Sequence, residues 1–367
     1  MTTVDNAAFA DSVRGQAAEW DRCGAVPGEV IRTMAGAGLL AADLPRRYGG
    51  SDRGQTELGE LCAQLGGVCS ALRGLVTVQG MVAAAVLRWG TAAQRCRWLP
   101  GLASGELLAG FAATEPGAGS DLSAVVTRAE RTAGGLRLRG HKVWVTSGQI
   151  ADVLLVLADL AGRPVTVLVE ADRPGTRMRP VRGQLGMRAA QLADIHFDDV
   201  LVPVENMLAP PGFGRSHVVG TALDHGRFTV AWGCVGMAEA CLGYATAHAA
   251  GRVQGTVRLA GHQAVRALLG RCLAAVRSAR QVCAHAAVLR QNGEPDAIAE
   301  TVLAKYTAAR AASTVSELAV QVHGAAGCAE DSPVGRFYRD AKVMRIIEGS
   351  DEVAEQHLGD YALRRWS

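Results

Sequence analysis

The chain has 367 residues, 49% of them hydrophobic, and a formal charge of only +3 from 38 basic and 35 acidic side chains. This is the composition of a globular chain, long enough for two or three domains around a large core. Neither sign of charge forms a long run and no basic stripe is interleaved with aromatic residues, so nucleic acid is not an expected partner.

The opening MTTVDNAAFADSV is acidic and polar where a secretory leader would be basic and then apolar. The apolar run Leu75 to Leu87 is interrupted by Gln79 and Gly80, short of the roughly 20 residues a spanning helix needs. A soluble, cytoplasmic protein with no membrane partner is expected. Residues 1–109 read as helices. Val26-Pro27-Gly28-Glu29 starts one that runs to about Ala37, Tyr48-Gly49-Gly50-Ser51 punctuates before the next, and apolar residues recur at three- and four-residue steps up to Leu87.

The period changes near Phe111. Leu136-Arg137-Leu138-Arg139, Val143-Trp144-Val145-Thr146 and Ile195-His196-Phe197-Asp198 alternate, while Asp152 to Leu157 and Val165 to Val169 are short aliphatic runs bounded by turn residues. Residues 110–213 therefore read as an antiparallel β domain, without the rhythm of a doubly wound nucleotide-binding sheet. Over 214–367 the helical period returns, with Asp224 to Ala250, His262 to Asn292 and Asp296 to Val322 forming the core of a bundle. The class is α+β: helical domain, β domain, helical bundle. The nine cysteines include no Cys-x-x-Cys pair, and the seven-residue spacings Cys62/Cys69 and Cys234/Cys241 fit buried helix faces. No metal site is expected.

Three segments carry chemistry. In FAATEPGAGSDLS, Phe111 to Ser123, the spacing of Gly117 and Gly119 fails the dinucleotide fingerprint, yet Thr114, Ser120 and Asp121 beside free backbone N–H groups offer donors to a phosphate or a polar ring edge. In Lys142 to Gly148, alternation puts Trp144 and Thr146 on one strand face, either as core or as a platform for a flat heterocycle. In KVMRIIEGSDEVAEQ, Glu348 follows Ile346 and Ile347 and precedes Gly349-Ser350-Asp351, a helix stop and restart. It is either a surface acid or a carboxylate whose pKa is raised on an apolar shelf, able to act as a base near neutral pH.

TEPGAGSD at 114–121, GHKVWVTSG at 140–148, LDHGR at 223–227, QVHGAAG at 321–327 and RDAKVMRIIEGSDE at 339–352 together resemble the signature segments of the acyl-CoA dehydrogenase family, in order and spacing. The resemblance spans nearly the whole chain. It implies a helical domain, a β domain and a four-helix bundle, with FAD held between them and between subunits of a homodimer or homotetramer. It implies that Phe111, Thr114, Gly119, Ser120, Trp144, Thr146 and Ser350 line the flavin, and that Arg252, Gln321 and Gly324 reach a neighbouring subunit's FAD. Ser120, Asp224, Arg227 and Ile347 would meet the substrate. Glu348 would remove the proton α to a thioester while the β hydride passes to flavin N5. Some family members carry this base immediately before the arginine matching Arg227; here that position is Gly226.

Departures from the family pattern are Gly255 where an aromatic usually packs on the cofactor, Ile347 where a tyrosine usually precedes the base, and Ala325 where a glycine is usual. They bear on FAD packing and on the shape of the acyl pocket. The chain is also similar to the homologues in actinomycete polyketide clusters that make methoxymalonyl-ACP extender units. That similarity implies a three-carbon, glyceryl-derived thioester on an acyl carrier protein, oxidised toward hydroxymalonyl-ACP, with an electron acceptor such as an electron-transfer flavoprotein. The alternatives are a conventional short-chain acyl-CoA dehydrogenase, in which case the carrier is CoA, and a non-catalytic binding protein on the same fold.

Overall fold

The structure is a computed structural model and describes residues 6–366. Its first third is helical: α1 (Asn6–Val13), α2 (Ala17–Cys23), α3 (Gly28–Gly36), α4 (Gln55–Gly66), α5 (Ser70–Trp89) and α6 (Ala92–Ser104). A reciprocal cap starts α6: Thr91 Oγ1 accepts from the Gln94 N–H at 3.2 Å, and Gln94 Oε1 accepts from the Thr91 N–H at 2.8 Å.

Helix α5 holds this region together. Its 20 residues are long and apolar enough to cross a membrane, but 89% of its most apolar window is buried inside the protein. Gln79, read as an interruption of the apolar run, is a buried clasp instead. Its Nε2 donates to the carbonyls of Leu102 and Leu107 and its Oε1 accepts from the Ala109 N–H at 2.9 Å, joining α5, α6 and the sheet. A buried amide with both ends satisfied costs little and fixes the helix in register.

The sheet comprises β1 (Ala109–Ala112), β2 (Arg128–Thr132), β3 (Gly135–Val145), β4 (Val153–Leu160), β5 (Arg163–Glu170), β6 (Thr176–Pro180), β7 (Ala193–Val202) and β8 (Met207–Leu208). Its order is β6-β7-β3-β2-β4-β5-β8, with β1 paired to β4. The antiparallel expectation needs correction at two contacts. β1 runs parallel to β4, and β2 touches β4 in parallel through Arg128 and Asp159. The long excursion between β1 and β4 lets the chain return in the same direction. The segments around Leu136 and Val143 are one eleven-residue strand, irregular between Leu138 and Gly140 and between Lys142 and Val145.

After a π-helical turn at Gly214–Val219 come α7 (Gly220–Gly251), α8 (Gln263–Asn292), α9 (Ala297–His323), α10 (Pro333–Met344) and α11 (Asp351–Trp366). Helix α7 is 32 residues long and packs against α4, α5, α8, α9 and α10, so its burial extends almost all round its first half. Six cysteines are buried, but Cys23, Cys96 and Cys328 are exposed and so are not the core residues their type suggested. The largest core cluster runs through the N-terminal helices and the bundle and takes in Met187, Ala189, Ala190 and Leu192 from the β region. The meeting point of all three parts lies beside α5 and the start of α7.

Candidate active site

Helix α10 ends at Met344, and the turn that follows carries Glu348 with φ 56° and Gly349 with φ 99°. A left-handed backbone costs a residue with a Cβ roughly 1–2 kcal/mol and persists where surrounding contacts over-determine it. Those contacts are present. Arg227 Nε donates to the Glu348 carbonyl at 2.9 Å, and buried Lys305 donates from Nζ to the Gly349 carbonyl at 2.6 Å. On the far side, Asp351 holds Arg345 at 2.6 Å and its N–H donates to the Arg345 carbonyl at 3.2 Å.

The clamped turn aims the carboxyl inward. Glu348 Oε2 is enclosed and makes no hydrogen bond. Burial pushes the group up to about 7, against the pull of Arg227, Lys305 and Arg73, each of which favours the carboxylate. A carboxyl that keeps a free, desolvated oxygen and titrates near neutrality has the properties of a general base. Room for it comes from Gly226 on α7: a Cβ there would stand 2.7 Å from Glu348 Oε2 and 3.0 Å from Met81 Sδ. Of the shelf expected beneath it, Ile347 packs on the core while Ile346 is 56% exposed.

The glycine-rich segment is anchored from below. Lys142 and Glu115 form a buried pair at 2.7 Å; Lys142 also donates to the Ala113 carbonyl, and Glu115 accepts from the N–H groups of Val126 and Thr127. Glu115 and Ala118 exchange backbone hydrogen bonds across the Pro116-Gly117 turn. Above this base Gly119 and Ser120 are exposed, Thr114 and Phe111 are partly exposed, and nothing lies within 4 Å of a Cβ built on Gly119. The Val143 N–H donates to the Thr114 carbonyl at 3.0 Å, which sets the loop beside Trp144.

Trp144 departs from the expected alternation. Its φ is 60°, it lies at an irregularity of β3, and the strand ends at Val145, so Thr146 belongs to the following turn and strand alternation does not govern the pair. The indole is 57% exposed. Thr146 faces α5, its Cγ2 3.8 Å from where a Cβ on Gly74 would stand. An uncovered indole face, an open glycine turn and the hydroxyls of Thr114, Ser120 and Thr146 form a donor set and a platform that fit a flavin.

The other expected contacts separate into two kinds. Arg252 and Gln321 are exposed at the far ends of α7 and α9, next to Gly324, where His248 and His323 stack with ring centroids 4.3 Å apart. From Gly226 to Arg252 the helix covers roughly 39 Å at 1.5 Å per residue, so within one chain this group lies far from Glu348, which faces Gly226. Asp224 and Ser350 are engaged elsewhere. Asp224 pairs through Oδ2 with Arg290 of α8 at 2.5 Å and keeps an enclosed Oδ1 without a partner; Ser350 Oγ accepts from the Val353 N–H at the start of α11. The buried residues Arg73, Thr77 and Lys305 around Glu348 were not singled out from the sequence, because each sits in a run that reads only as helix.

Models of the N-terminal, middle and C-terminal domains of acyl-CoA dehydrogenase match residues 5–106, 110–200 and 215–363. The chain belongs to the acyl-CoA dehydrogenase family. Within it the protein is an FAD-dependent oxidoreductase. It is 40% identical to the solved structure of FkbI for biosynthesis of the methoxymalonyl extender unit of the FK520 polyketide, with a TM-score of 0.91 over 98% of this chain and 99% of that one. Butyryl-CoA dehydrogenase from Megasphaera elsdenii is 30% identical, with a TM-score of 0.94 over 98% of this chain and 96% of that one. Glutaryl-CoA dehydrogenase from Desulfococcus multivorans is 32% identical over 92% of this chain and 89% of the relative.

Proposed function

We propose that this protein oxidises a three-carbon, glyceryl-derived thioester carried on an acyl carrier protein, toward hydroxymalonyl-ACP. The observation that carries the chemistry is the enclosed, unpartnered Oε2 of Glu348, held against Gly226 and titrating near 7. The observation that favours the substrate is the 40% identity to FkbI, whose name assigns it to the methoxymalonyl extender unit.

Glu348 takes a C–H or O–H proton from the bound acyl group, and Arg227 holds the turn so that the carboxylate is presented at one place. Thr114, Gly119, Ser120, Trp144 and Thr146 would hold the flavin on the opposite side. When bound, FAD supplies a two-electron acceptor for the hydride that leaves carbon. The pairing of proton and hydride removal needs base and acceptor on opposite faces of the substrate. Because Arg252, Gln321 and Gly324 lie at the far ends of α7 and α9, the cofactor is shared between copies in a homodimer or homotetramer. This reading implies an electron-accepting partner such as an electron-transfer flavoprotein, and a cytoplasmic location.

A second reading is supported by the 30% identity to butyryl-CoA dehydrogenase: oxidation of a short saturated acyl-CoA to the trans-2-enoyl thioester. Anaerobic flavin bleaching separates them. Bleaching by glyceryl-ACP-derived thioesters and not by butyryl-CoA, lost in Glu348→Gln, is the expected result; bleaching by butyryl-CoA alone would overturn the three-carbon reading in favour of the second.

A further inference from the structure

Asp340, one turn before the end of α10, is 3% exposed, and its side chain is turned to the β region. Its Oδ1 accepts from the Met187 N–H at 2.6 Å. Burial raises the carboxyl, and this hydrogen bond draws it back. Among the described residues no cation stands within ion-pair distance of it, so a buried carboxyl that is costly to keep serves a loop and not a counter-ion. The loop is shaped to receive it. Met187 has φ 53°, a backbone that persists where contacts over-determine it. Gly186 lies so close to α10 that a Cβ on it would stand 2.6 Å from the Arg339 carbonyl oxygen and 2.9 Å from the Asp340 Cα.

The same loop holds the turn that carries Thr146. The Ala190 N–H donates to the Met187 carbonyl at 2.9 Å, the Ser147 N–H to the Ala190 carbonyl at 3.0 Å, and the Gln149 N–H to the Gln191 carbonyl at 3.1 Å. Side chains meet there too: a Cβ on Gly74 of α5 would touch Met187 Cε at 3.2 Å and Thr146 Cγ2 at 3.8 Å. Arg339, next to Asp340, pairs with Asp21 of α2, and Ala25, just beyond α2, forms a main-chain bridge with Ala190. Two adjacent residues of α10 therefore close a ring at the junction: α10 to the loop, the loop to the end of α2, and α2 back to α10. Four residues beyond the end of α10 stands Glu348.

We infer that Asp340 is a positioning residue: its hydrogen bond to Met187 fixes the helix that leads to Glu348 against the turn that carries Thr146, and so sets the width of the slot between base and flavin. Reacting groups held in register lose up to roughly 100-fold in rate when displaced by about 1 Å. The presence of a thioester in that slot rests on the proposed function; the coupling of helix to turn does not.

Hydrogen exchange read by mass spectrometry on the purified holoenzyme tests the coupling without turnover. The parent is compared with Asp340→Leu, Asp340→Asn, Gly186→Ala and, as a control for general destabilisation, Arg280→Met, which removes pairs with Glu60 and Glu239. We expect Asp340→Leu and Gly186→Ala to quicken exchange roughly tenfold or more in peptides covering both 187–192 and 146–149. Asp340→Asn, which keeps an oxygen for the Met187 N–H, restores protection, and Arg280→Met leaves both peptides as in the parent. Flavin reduction per bound flavin is then followed with glyceryl-ACP-derived thioesters and with butyryl-CoA. The limiting rate should fall about 10- to 100-fold in Asp340→Leu and Gly186→Ala, with half-saturation within about threefold of the parent, and recover in Asp340→Asn. Exchange that quickens at 187–192 and leaves 146–149 protected overturns the inference, as does a limiting rate equal to the parent's. Gly186→Ala carries the test if Asp340→Leu does not fold. If neither thioester reduces the parent, the proposed function fails and the exchange result alone decides the coupling.

Discussion

The carboxyl group of Glu348 fills the space that a side chain on Gly226 would occupy: a Cβ there would stand 2.7 Å from Oε2 and 2.8 Å from Cδ. Two residues far apart in sequence thus address one point in the site. We expect Gly226→Ala to displace the carboxyl, lower flavin reduction roughly 10- to 100-fold and destabilise the protein by about 1–3 kcal/mol through overpacking. Stopped-flow absorbance and thermal melts would show both. Unchanged reduction would mean that the carboxyl is not held at this spot for the reaction.

The same geometry allows the base to be moved. Gly226→Glu combined with Glu348→Gly places one carboxylate at the same point from the other chain position. It should recover measurable flavin bleaching over Glu348→Gln, whereas Gly226→Glu alone, with two carboxyls competing for one site, should be slower than the parent.

Glu348→Gln should cost roughly 10²- to 10⁴-fold in flavin reduction, the usual range for a lost general base. In the parent, the rate should rise with pH through a midpoint near 7, because the proton must leave Glu348 first. Stability follows the opposite sign. The unfolded chain releases this proton near 4.5 and the folded one near 7, so between those values unfolding gains and the parent loses up to about 3 kcal/mol as pH rises. Glu348→Gln should therefore melt higher than the parent at pH 8 and no higher below pH 4.5. A melting difference that does not change with pH would exclude the raised carboxyl.

Lys142→Met should leave Glu115 buried without its partner and destabilise the fold by about 3–5 kcal/mol. Burial works to raise the Glu115 pKa, but hydrogen bonds from Lys142, Thr127 and Val126 outweigh it and hold the carboxyl below its ordinary value. Its contribution is present above that ordinary value and lost as the pH falls, so parent and variant should converge in acid. Since the pair underlies the Thr114 to Ser120 segment, the variant should also retain less flavin on gel filtration.

If the flavin is shared between copies, Trp144→Ala and Arg252→Ala chains should each be inactive or flavin-poor alone and regain activity when unfolded together and refolded. In a mixed pair, one site combines both defects and the other has neither. No recovery in verified hetero-oligomers would place Arg252 outside the flavin site.

Glu348, Trp144 and the Thr114 to Ser120 segment were legible because their chemistry sits in contiguous residues with turn-forming neighbours. The helical rhythm of α7, α8 and α9 was legible because apolar spacing is a local signal. Arg73 was not. In sequence it is one arginine in an apolar helix, and its burial depends on Gly233, a residue of another helix that leaves space for it. Nor was the partner of Asp224: its proximity in sequence to Arg227 said nothing of Arg290 arriving from α8. The left-handed turn at Trp144 overrode an alternation that would have held in a regular strand.

Helix α7 carries Gly226 near one end and reaches Arg252 at the other with no break over Gly220–Gly251. It is a graduated rod. One residue inserted between those points would advance its far end by about 1.5 Å and turn it by about 100°, so Arg252 would point away from whatever it meets while Glu348 kept its place. Substitutions along α7 are local events, but a change in its length puts the two ends out of phase. The separation between them is counted in residues, and that count is as much a part of the site as any side chain in it.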